Sequence, residues 1–580
     1  MMRCLALSCA IVLAFAHLPA LAWDLPGAED DTQQAVCPPW GLQMWMWEDD
    51  VNTAEAVWDI VNGCAQYDLP LRAVIIDSPW ATAYNNFTWD QQRYPDPQKM
   101  IEDLHARGVN VVLWMTGMIN TREGRADASG EPSEDLYALA KEKGYLCNDA
   151  KPIKWWKGEG GFVDYTNPEA VQWWHSLMDR ALLMGVDGSK VDGSAELFPL
   201  SGGFGKAGPI SIIQYMNMYY TDTYQHLISR NPEGVTMARS VDPEDVGYTG
   251  RHAPRDSAPI SWVGDQKHDW TDEGLLEALS SSFLAMDHGY GVIGSDIGGY
   301  SRTGQGPLLP RNLYLRWMQW SAFMPFFLNG GHDDHRPWRY DEDFLRLFRK
   351  FAWLHNELVP FFYSYVREAH ESGRVFMRRM PGEWQYALGE ELLVAPIYQD
   401  SDVREVQIPP GRWLDYWDPA IAYDGPAQIQ LRVPEDRLPV FVRSGSIMPL
   451  DVQNDYAGRG TRASAGSLTL DVYPDPSREA IFSLWQHGGG LTRISCKAEG
   501  GDTVVTINGP DARSYILRVL SPTRPAQVER VGTESGEPLP ELSFEEWEAG
   551  AEGWLYDAST TRVWVRLPTL SGFAVVRLRY

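Results

Sequence analysis

Little in this sequence points to redox, metal or membrane chemistry. Of its six cysteines, Cys4 and Cys9 fall in the first ten residues. The others, Cys37, Cys64, Cys147 and Cys496, are scattered. They are too few for a disulfide framework and lack metal-ligand spacing. Cys37 and Cys64 could still pair in an oxidising compartment. There is no histidine cluster, no EF-hand spacing and no glycine-rich phosphate turn after a strand. No stretch reaches the roughly 18 apolar residues of a membrane span. No repeat of solenoid or propeller period is found. Positive charge is also scarce: 50 Lys and Arg stand against 78 Asp and Glu, a formal net charge of -28. A polyanionic partner would be repelled, which argues against nucleic acid and suits a soluble protein acting on a neutral ligand.

Tryptophan and tyrosine are abundant, with 25 and 26 copies. Their flat apolar faces with polar tips suit either a large aromatic core or stacking on sugar rings. Arg3 precedes an apolar run from Leu5 to Ala16, followed by Pro19 and Ala20-Leu21-Ala22. That pattern is expected to be a signal peptide over residues 1–22, which implies a secreted or periplasmic protein.

At 580 residues the chain exceeds one ordinary core, so several domains are expected. From Trp40 to Glu371 short apolar strands alternate with amphipathic helices. The strand-like runs are Trp40–Trp47, Ala73–Asp77, Val109–Met115, Ser189–Asp192, Val235–Arg239, Ile260–Asp265, Gly291–Asp296 and Phe323–Asn329. Eight such runs, most followed by a helix, predict an α/β fold of the (β/α)8 TIM-barrel type over residues 23–370. An open doubly wound sheet is the rival. After Gly373 the helical period stops and short strands alternate with Pro, Gly and Asp turns. Two C-terminal β-sandwich domains are expected, over 371–455 and 456–580, with a linker near Asn454–Ser464.

In such a barrel the chemistry sits at the C-terminal strand ends. Those ends carry Asp77, Asp192, Arg239, Asp265 and Asp296. Each alone could be a solvated strand end or a helix cap. Crowded at one mouth, carboxylates raise one another's pKa, a cost that function explains better than stability. A mouth of acids suits a divalent metal or sugar chemistry. The tryptophans near them, Trp80, Trp114, Trp156, Trp262 and Trp270, favour the sugar. Glycosidases need two carboxyl groups flanking the scissile bond.

Several segments, in order, resemble glycoside hydrolase family 31. Gly185-Val186-Asp187-Gly188-Ser189-Lys190-Val191-Asp192-Gly193 is similar to its nucleophile segment, and Ser261-Trp262-Val263-Gly264-Asp265-Gln266 to its acid/base segment. Ala238-Arg239-Ser240, Ile293-Gly294-Ser295-Asp296-Ile297-Gly298-Gly299 and Phe162-Val163-Asp164-Tyr165-Thr166-Asn167-Pro168 with Trp173-Trp174 match further family segments. So do Leu393-Val394-Ala395-Pro396, Pro410-Gly411-Arg412-Trp413 and Leu438-Pro439-Val440-Phe441-Val442-Arg443-Ser444-Gly445. The resemblance runs from about Trp40 to Leu450. It implies a retaining exo-α-glycosidase acting on an oligosaccharide or glycoside, without cofactor or metal. Asp192 would be the nucleophile and Asp265 the acid/base. Asp77, Lys190, Arg239, Trp262 and His332 would meet the sugar, Trp156 would wall its ring, and Asp296 would organise Arg239. A catalytically inactive binding relative and a transglycosylase on the same fold are the alternatives.

The chain also departs from the family pattern. The usual N-terminal β-sandwich has no counterpart before the barrel, so the pocket rim is expected to be rebuilt. A longer connection containing Pro243, Glu244 and Asp245 separates Arg239 from Asp265. His332 is displaced from the family's sugar-binding histidine, and a plain loop histidine is its other reading. Lys190 stands where glucose-specific members carry tryptophan, which points to a sugar other than plain α-glucose. Strand alternation puts Lys190 and Asp192 on one face. Outside the pocket, Lys190 would instead pair with Glu196 or Asp187.

Overall fold

The computed structural model describes residues 33–125, 134–241, 252–301, 308–531 and 536–580. The expected signal peptide and the Pro243–Asp245 connection lie outside them. Eight parallel strands form the first sheet: β1 Met44–Met46, β2 Leu71–Ile76, β3 Asn110–Met115, β4 Gly188–Val191, β5 Val235–Arg239, β6 Ile260–Trp262, β7 Ile293–Gly294 and β8 Phe327–Asn329. They neighbour one another in chain order, with β8 beside β1. The ring closes between β7 and β8, where Phe326 N–H donates to Ile293 O at 3.4 Å and Ile297 N–H to Leu328 O at 2.9 Å. Each strand matches one of the apolar runs. Strands buried on both faces read as continuous hydrophobic segments.

Helices cover the outside. Ala54–Gln66 starts at Thr53, whose side chain accepts from Ala56 N, and it buries Val57, Ile60, Val61 and Cys64. Pro168–Leu182 is capped by Asn167. Ile212–Arg230 begins with a capping box between Ser211 and Gln214. Leu275–Asp287 buries Leu275, Leu279 and Phe283, as their spacing predicts. Gly188 lets β4 and β5 approach: a Cβ there would lie 2.6 Å from Val235 O.

Cys37 and Cys64 are buried free thiols. The two do not pair: Cys64 packs its sulfur 3.4 Å from Met46 Sδ on the inner face of its helix, while Cys37 faces Pro38 O. Asn86, within an Asn-x-Thr sequon, is buried and donates to Thr82 Oγ1.

Two antiparallel β regions follow the barrel. A six-stranded sheet spans Met377–Arg443, with a core of Leu393, Ala395, Val406, Ile408, Trp413 and Phe441. A nine-stranded sheet begins at Ser446 and is built on the long pair Asp502–Leu520 and Arg562–Arg579. The Asn454–Ser464 stretch belongs with this second sheet, where Arg459 is buried. Arg316, on the barrel helix Arg311–Ser321, ties the first sheet down by donating to Val433 O, Pro434 O and Arg437 O.

A buried ionic cluster sits at the heart of the second sheet. Asp471 is fully buried and lies 3.1, 2.8 and 2.9 Å from Arg459, Arg518 and Arg562. Burial alone would raise its pKa, but the guanidiniums of Arg518, Arg562 and Arg459 outweigh it and hold the carboxyl at about 2. The folded value is thus below the unfolded one of about 3.9. Its contribution to stability is present above pH 4 and is lost as pH falls towards 2. Asp471→Ala leaves three buried cations uncompensated and should cost about 3–5 kcal/mol. Chemical denaturation at pH 7 and pH 3 checks this. A variant as stable as the parent at neutral pH contradicts it.

Candidate active site

The C-terminal ends of the barrel strands converge on one mouth. Asp192 follows β4. Its Oδ1 accepts from Gly193 N–H at 2.7 Å and its Oδ2 from the Trp114 indole at 3.0 Å. Trp114 is the penultimate residue of β3, in register with Lys190 of β4. The carboxylate is therefore fixed by two donors on opposite oxygens, while the side chain stays partly open to solvent.

Asp265 faces it from the end of β6. Gly264, at φ +97°, makes the turn that presents it, and a Cβ there would come within 3.3 Å of the Arg239 guanidinium. Arg239, the last residue of β5, bridges the two acids: Nη2 lies 2.6 Å from Asp265 Oδ2, and Nε 3.8 Å from Asp192 Oδ1. Asp265 remains exposed at the mouth, yet desolvation by the surrounding walls raises its pKa above the usual carboxylate range. Arg239 and Lys190 oppose that rise, and the charges of Asp192 and Asp77 add to it. The two acids thus stand in different environments: Asp192 accepts from an indole and a backbone amide, and Asp265 accepts from Arg239 in a desolvated setting that raises its pKa.

Lys190 turns inward, as strand alternation requires. Its ammonium lies 2.8 Å from Asp77 Oδ2, and both side chains are under 5% exposed. The pairing with Glu196 or Asp187 does not occur. Asp187 precedes β4 at the opposite end of the barrel and binds His105 Nε2 and Val111 N–H. The ammonium also rests 3.7 Å from the centre of the Trp47 ring and 4.7 Å from that of Trp262. Burial would lower its pKa, but Asp77, Asp192, Asp296 and Asp265 together raise it, so Lys190 stays charged.

Asp296 departs from expectation. It accepts from the indoles of Trp47 at 3.2 Å and Trp262 at 3.0 Å instead of organising Arg239. Arg239 pairs with Asp265, and its guanidinium lies 5.0 Å from the centre of the Trp262 ring. Complete burial pushes the Asp296 pKa to about 8, although Lys190 acts against it. The Trp47 and Trp262 rings in turn cage Lys190, so Asp296 acts on the pocket through two aromatic walls.

His332 follows β8. Its Nδ1 is 2.8 Å from Asp50 Oδ1, and its ring centre 4.7 Å from that of Tyr300. Tyr300 donates to Asp49 Oδ2 at 2.7 Å and stacks on Trp47 at 5.7 Å. Burial raises the Asp49 pKa to about 7, with the Asp77 charge adding to it. A cavity of about 470 Å3 opens beside Trp47, lined by Glu48, Asp50, Asp333, His335 and Arg336 among others, and includes neither Asp192 nor Asp265. Trp156, 47% exposed, sits on the hairpin Ile153–Phe162 and packs its edge on Trp155.

The mouth thus assembles Asp77, Lys190, Asp192, Arg239, Trp262, Asp265 and Asp296. Sequence reasoning missed Trp47, Asp49 and Tyr300 as parts of this environment, and treated Trp114 only as a nearby aromatic. Trp47 closes the first apolar run and was open to the same strand-end reading as the acids. Asp49 and Tyr300 carry no such signal, because they sit in turns. Among the described residues no group of three or more His, Cys, Asp or Glu side chains is arranged to hold a metal ion, and no helix is long and apolar enough to cross a membrane.

Residues 34–365 match the model of the glycosyl hydrolases family 31 TIM-barrel domain, and residues 360–448 that of the family's C-terminal domain. The chain belongs to glycosyl hydrolase family 31. An isomaltosyltransferase of Sporosarcina globispora is 26% identical over 91% of this chain and 52% of its own length. An alpha-xylosidase of Lactiplantibacillus pentosus is 29% identical over 81% of this chain and 62% of its own. A Flavobacterium johnsoniae family 31 dextranase, solved with glucose, superposes with a TM-score of 0.80 at 21% identity over 94% of this chain and 71% of that one. The chain spans about half to three fifths of the length of these two curated relatives.

Proposed function

We propose that this family 31 chain is a retaining exo-α-glycosidase that hydrolyses terminal α-linked sugars. The observation that carries the reading is the unequal pair of acids: Asp192 fixed by the Trp114 indole and Gly193 N–H, and Asp265 with its pKa raised, on either side of Arg239. An Asp192 oxygen attacks the anomeric carbon. The glycosidic C–O bond breaks, and the Asp265 proton goes to the leaving oxygen. Asp265 then takes a proton from water, the water oxygen bonds to the anomeric carbon, and the Asp192 carboxylate is released. Asp77, Lys190, Arg239 and the indole of Trp262 hold the sugar in this reading, with Trp156 and His332 at the rim. The presence of both acids favours chemistry over a binding-only relative.

A second outcome on the same intermediate is favoured by one of the relatives, an isomaltosyltransferase, and by the likeness in fold to a cycloalternan-forming enzyme of Listeria monocytogenes. A sugar hydroxyl then replaces water. Product analysis with and without added acceptor sugar separates hydrolysis from transfer. The Arg3–Ala22 pattern supports export to the periplasm or the medium. Fractionation of the native host tests that.

Lys190 supports a preference for galactose-type or xylose substrates over maltose. A buried donor can reject a sugar lacking its hydroxyl partner by roughly 10⁴-fold, against about 10–200-fold for one methylene of shape. Nitrophenyl α-glycosides of glucose, galactose, xylose and N-acetylgalactosamine, assayed with the parent and Lys190→Met, test the reading. The expected result is a loss of about 10²-fold or more in kcat/KM confined to the preferred sugar. A parent that favours the α-glucoside, with all substrates falling alike in Lys190→Met, refutes the specificity role.

A further inference from the structure

Two tyrosines outside the pocket hold the main chain beneath it. Helix Ile212–Arg230 buries Tyr219 and Tyr220 completely or nearly so, at 0% and 2% exposure. The two rings pack against each other with centroids 4.8 Å apart, and their hydroxyls reach different strands. Tyr219 Oη donates to the backbone carbonyl of Asp192 at 3.0 Å, and Tyr220 Oη to the backbone carbonyl of Arg239 at 3.1 Å. Those carbonyls belong to the residues at the mouth ends of adjacent strands β4 and β5. Gly117 makes room for the first ring: a Cβ there would come within 3.0 Å of it.

The same helix is anchored to a neighbouring helix through residues three, seven and eleven places after Tyr219. Asp222 meets His175 Nε2 at 3.0 Å, while His226 and Arg230 meet Asp179 at 2.9 and 2.7 Å. Both partners lie on helix Pro168–Leu182. The helix is thus braced against its neighbour along its C-terminal half while it delivers two hydroxyls to the barrel.

We propose that Tyr219 and Tyr220 are positioning residues that set the spacing of Asp192 and Arg239, and so of the attacking carboxylate relative to the acid that Arg239 holds. The inference rests on the reading of Asp192 as the nucleophile. Both phenols are buried and donate to backbone carbonyls, so each acts through the peptide it grips. Displacing a reacting group by about 1 Å costs on the order of 10²-fold in rate.

The test compares the parent with Tyr219→Phe, Tyr220→Phe and Tyr224→Phe, the last on the same helix one turn on and away from the mouth. A 5-fluoro glycosyl fluoride of the preferred sugar serves as the probe, with nitrophenyl α-glycosides of graded leaving group. Tyr219→Phe is expected to label Asp192 at least about 10-fold more slowly and to lower kcat by a similar factor. The loss should be equal for good and poor leaving groups and KM should stay within about twofold, as expected of a displaced nucleophile. Tyr220→Phe should shift the alkaline limb of kcat/KM, because Arg239 faces Asp265 together with Asp192, Lys190 and Asp77. Tyr224→Phe should leave all three readouts unchanged. Labelling of Asp192 at one rate in all four proteins, or losses that vanish at lower temperature in step with Tm, overturns the positioning role. Labelling of a different residue in the parent overturns the nucleophile assignment instead.

Discussion

Replacing Asp192 by Ala or Asn is expected to lower kcat by about 10⁴-fold or more while leaving the fold intact. The size follows from the chemistry. Without the carboxylate no glycosyl-enzyme bond can form, and both half-reactions lose their route. The tolerance follows from the surroundings. Asp192 is partly open to solvent at the mouth, and its side chain has two hydrogen-bond donors to satisfy, the Trp114 indole and the Gly193 amide. In Asp192→Asn one carboxamide oxygen remains for one of them, and water reaches the other. Destabilisation should therefore stay near 1 kcal/mol for that loss, which thermal unfolding will show. The carboxylate also lies 3.8 Å from Arg239 Nε, so Asp192→Asn removes one of the charges that face Lys190 and Arg239. That change should appear as tighter or unchanged binding of an anionic inhibitor, never as rescue of turnover. A 5-fluoro glycosyl fluoride should modify the peptide that contains Asp192 in the parent and nothing in the variants. Labelling elsewhere, or turnover within about tenfold of the parent, would remove Asp192 from the mechanism.

The barrel was legible because its physics leaves a plain trace. Parallel strands covered by helices are apolar along their length, and six of the eight runs close on a polar residue at the mouth. All eight runs could be found that way, and Asp77, Asp192, Arg239, Asp265 and Asp296 with them. Alternation along β4 also placed Lys190 on the face of Asp192. Alternation says which way a side chain points, but not what comes to meet it from the next strand. The Lys190 partner is Asp77, 113 residues earlier, brought there by the ring of strands. Asp296 shows the same limit. Its strand end was visible, but Trp47 reaches it from 249 residues away, and no local pattern links the two. Tyr219 and Tyr220 read as ordinary aromatic positions of a buried helix face. What they do depends on a hydroxyl reaching a carbonyl across the layer between helix and barrel, a feature the hydrophobic pattern cannot encode. The thiols of Cys37 and Cys64 were adjacent in the sequence order of cysteines, and that order carries no information about distance in a barrel.

Asp265→Ala should harm substrates unequally, by about 10⁴-fold for poor leaving groups such as a sugar alcohol and by far less for a dinitrophenolate. A poor leaving group needs the proton during bond breaking, whereas a good one departs as an anion without it. The same residue must hold that proton in the free enzyme, so the alkaline limb of kcat/KM should report Asp265. Its carboxyl is raised above the ordinary value by desolvation, with Asp192 and Asp77 adding to the shift and Arg239 and Lys190 resisting it. Activity depending on the protonated form is present below the raised pKa and is lost as pH rises through it. In Asp265→Ala the alkaline limb should vanish for good leaving groups, since no proton donor remains to be titrated. Deglycosylation is slowed as well, because no base takes the proton from water. A burst of nitrophenolate should therefore precede slow steady-state turnover. These readouts separate Asp265 from Asp296, whose pKa is pushed up to about 8 by burial but whose carboxyl binds the Trp47 and Trp262 indoles. Equal losses for both leaving-group classes, with the alkaline limb retained, would move the acid/base role away from Asp265 and leave its carboxyl as the anchor of Arg239.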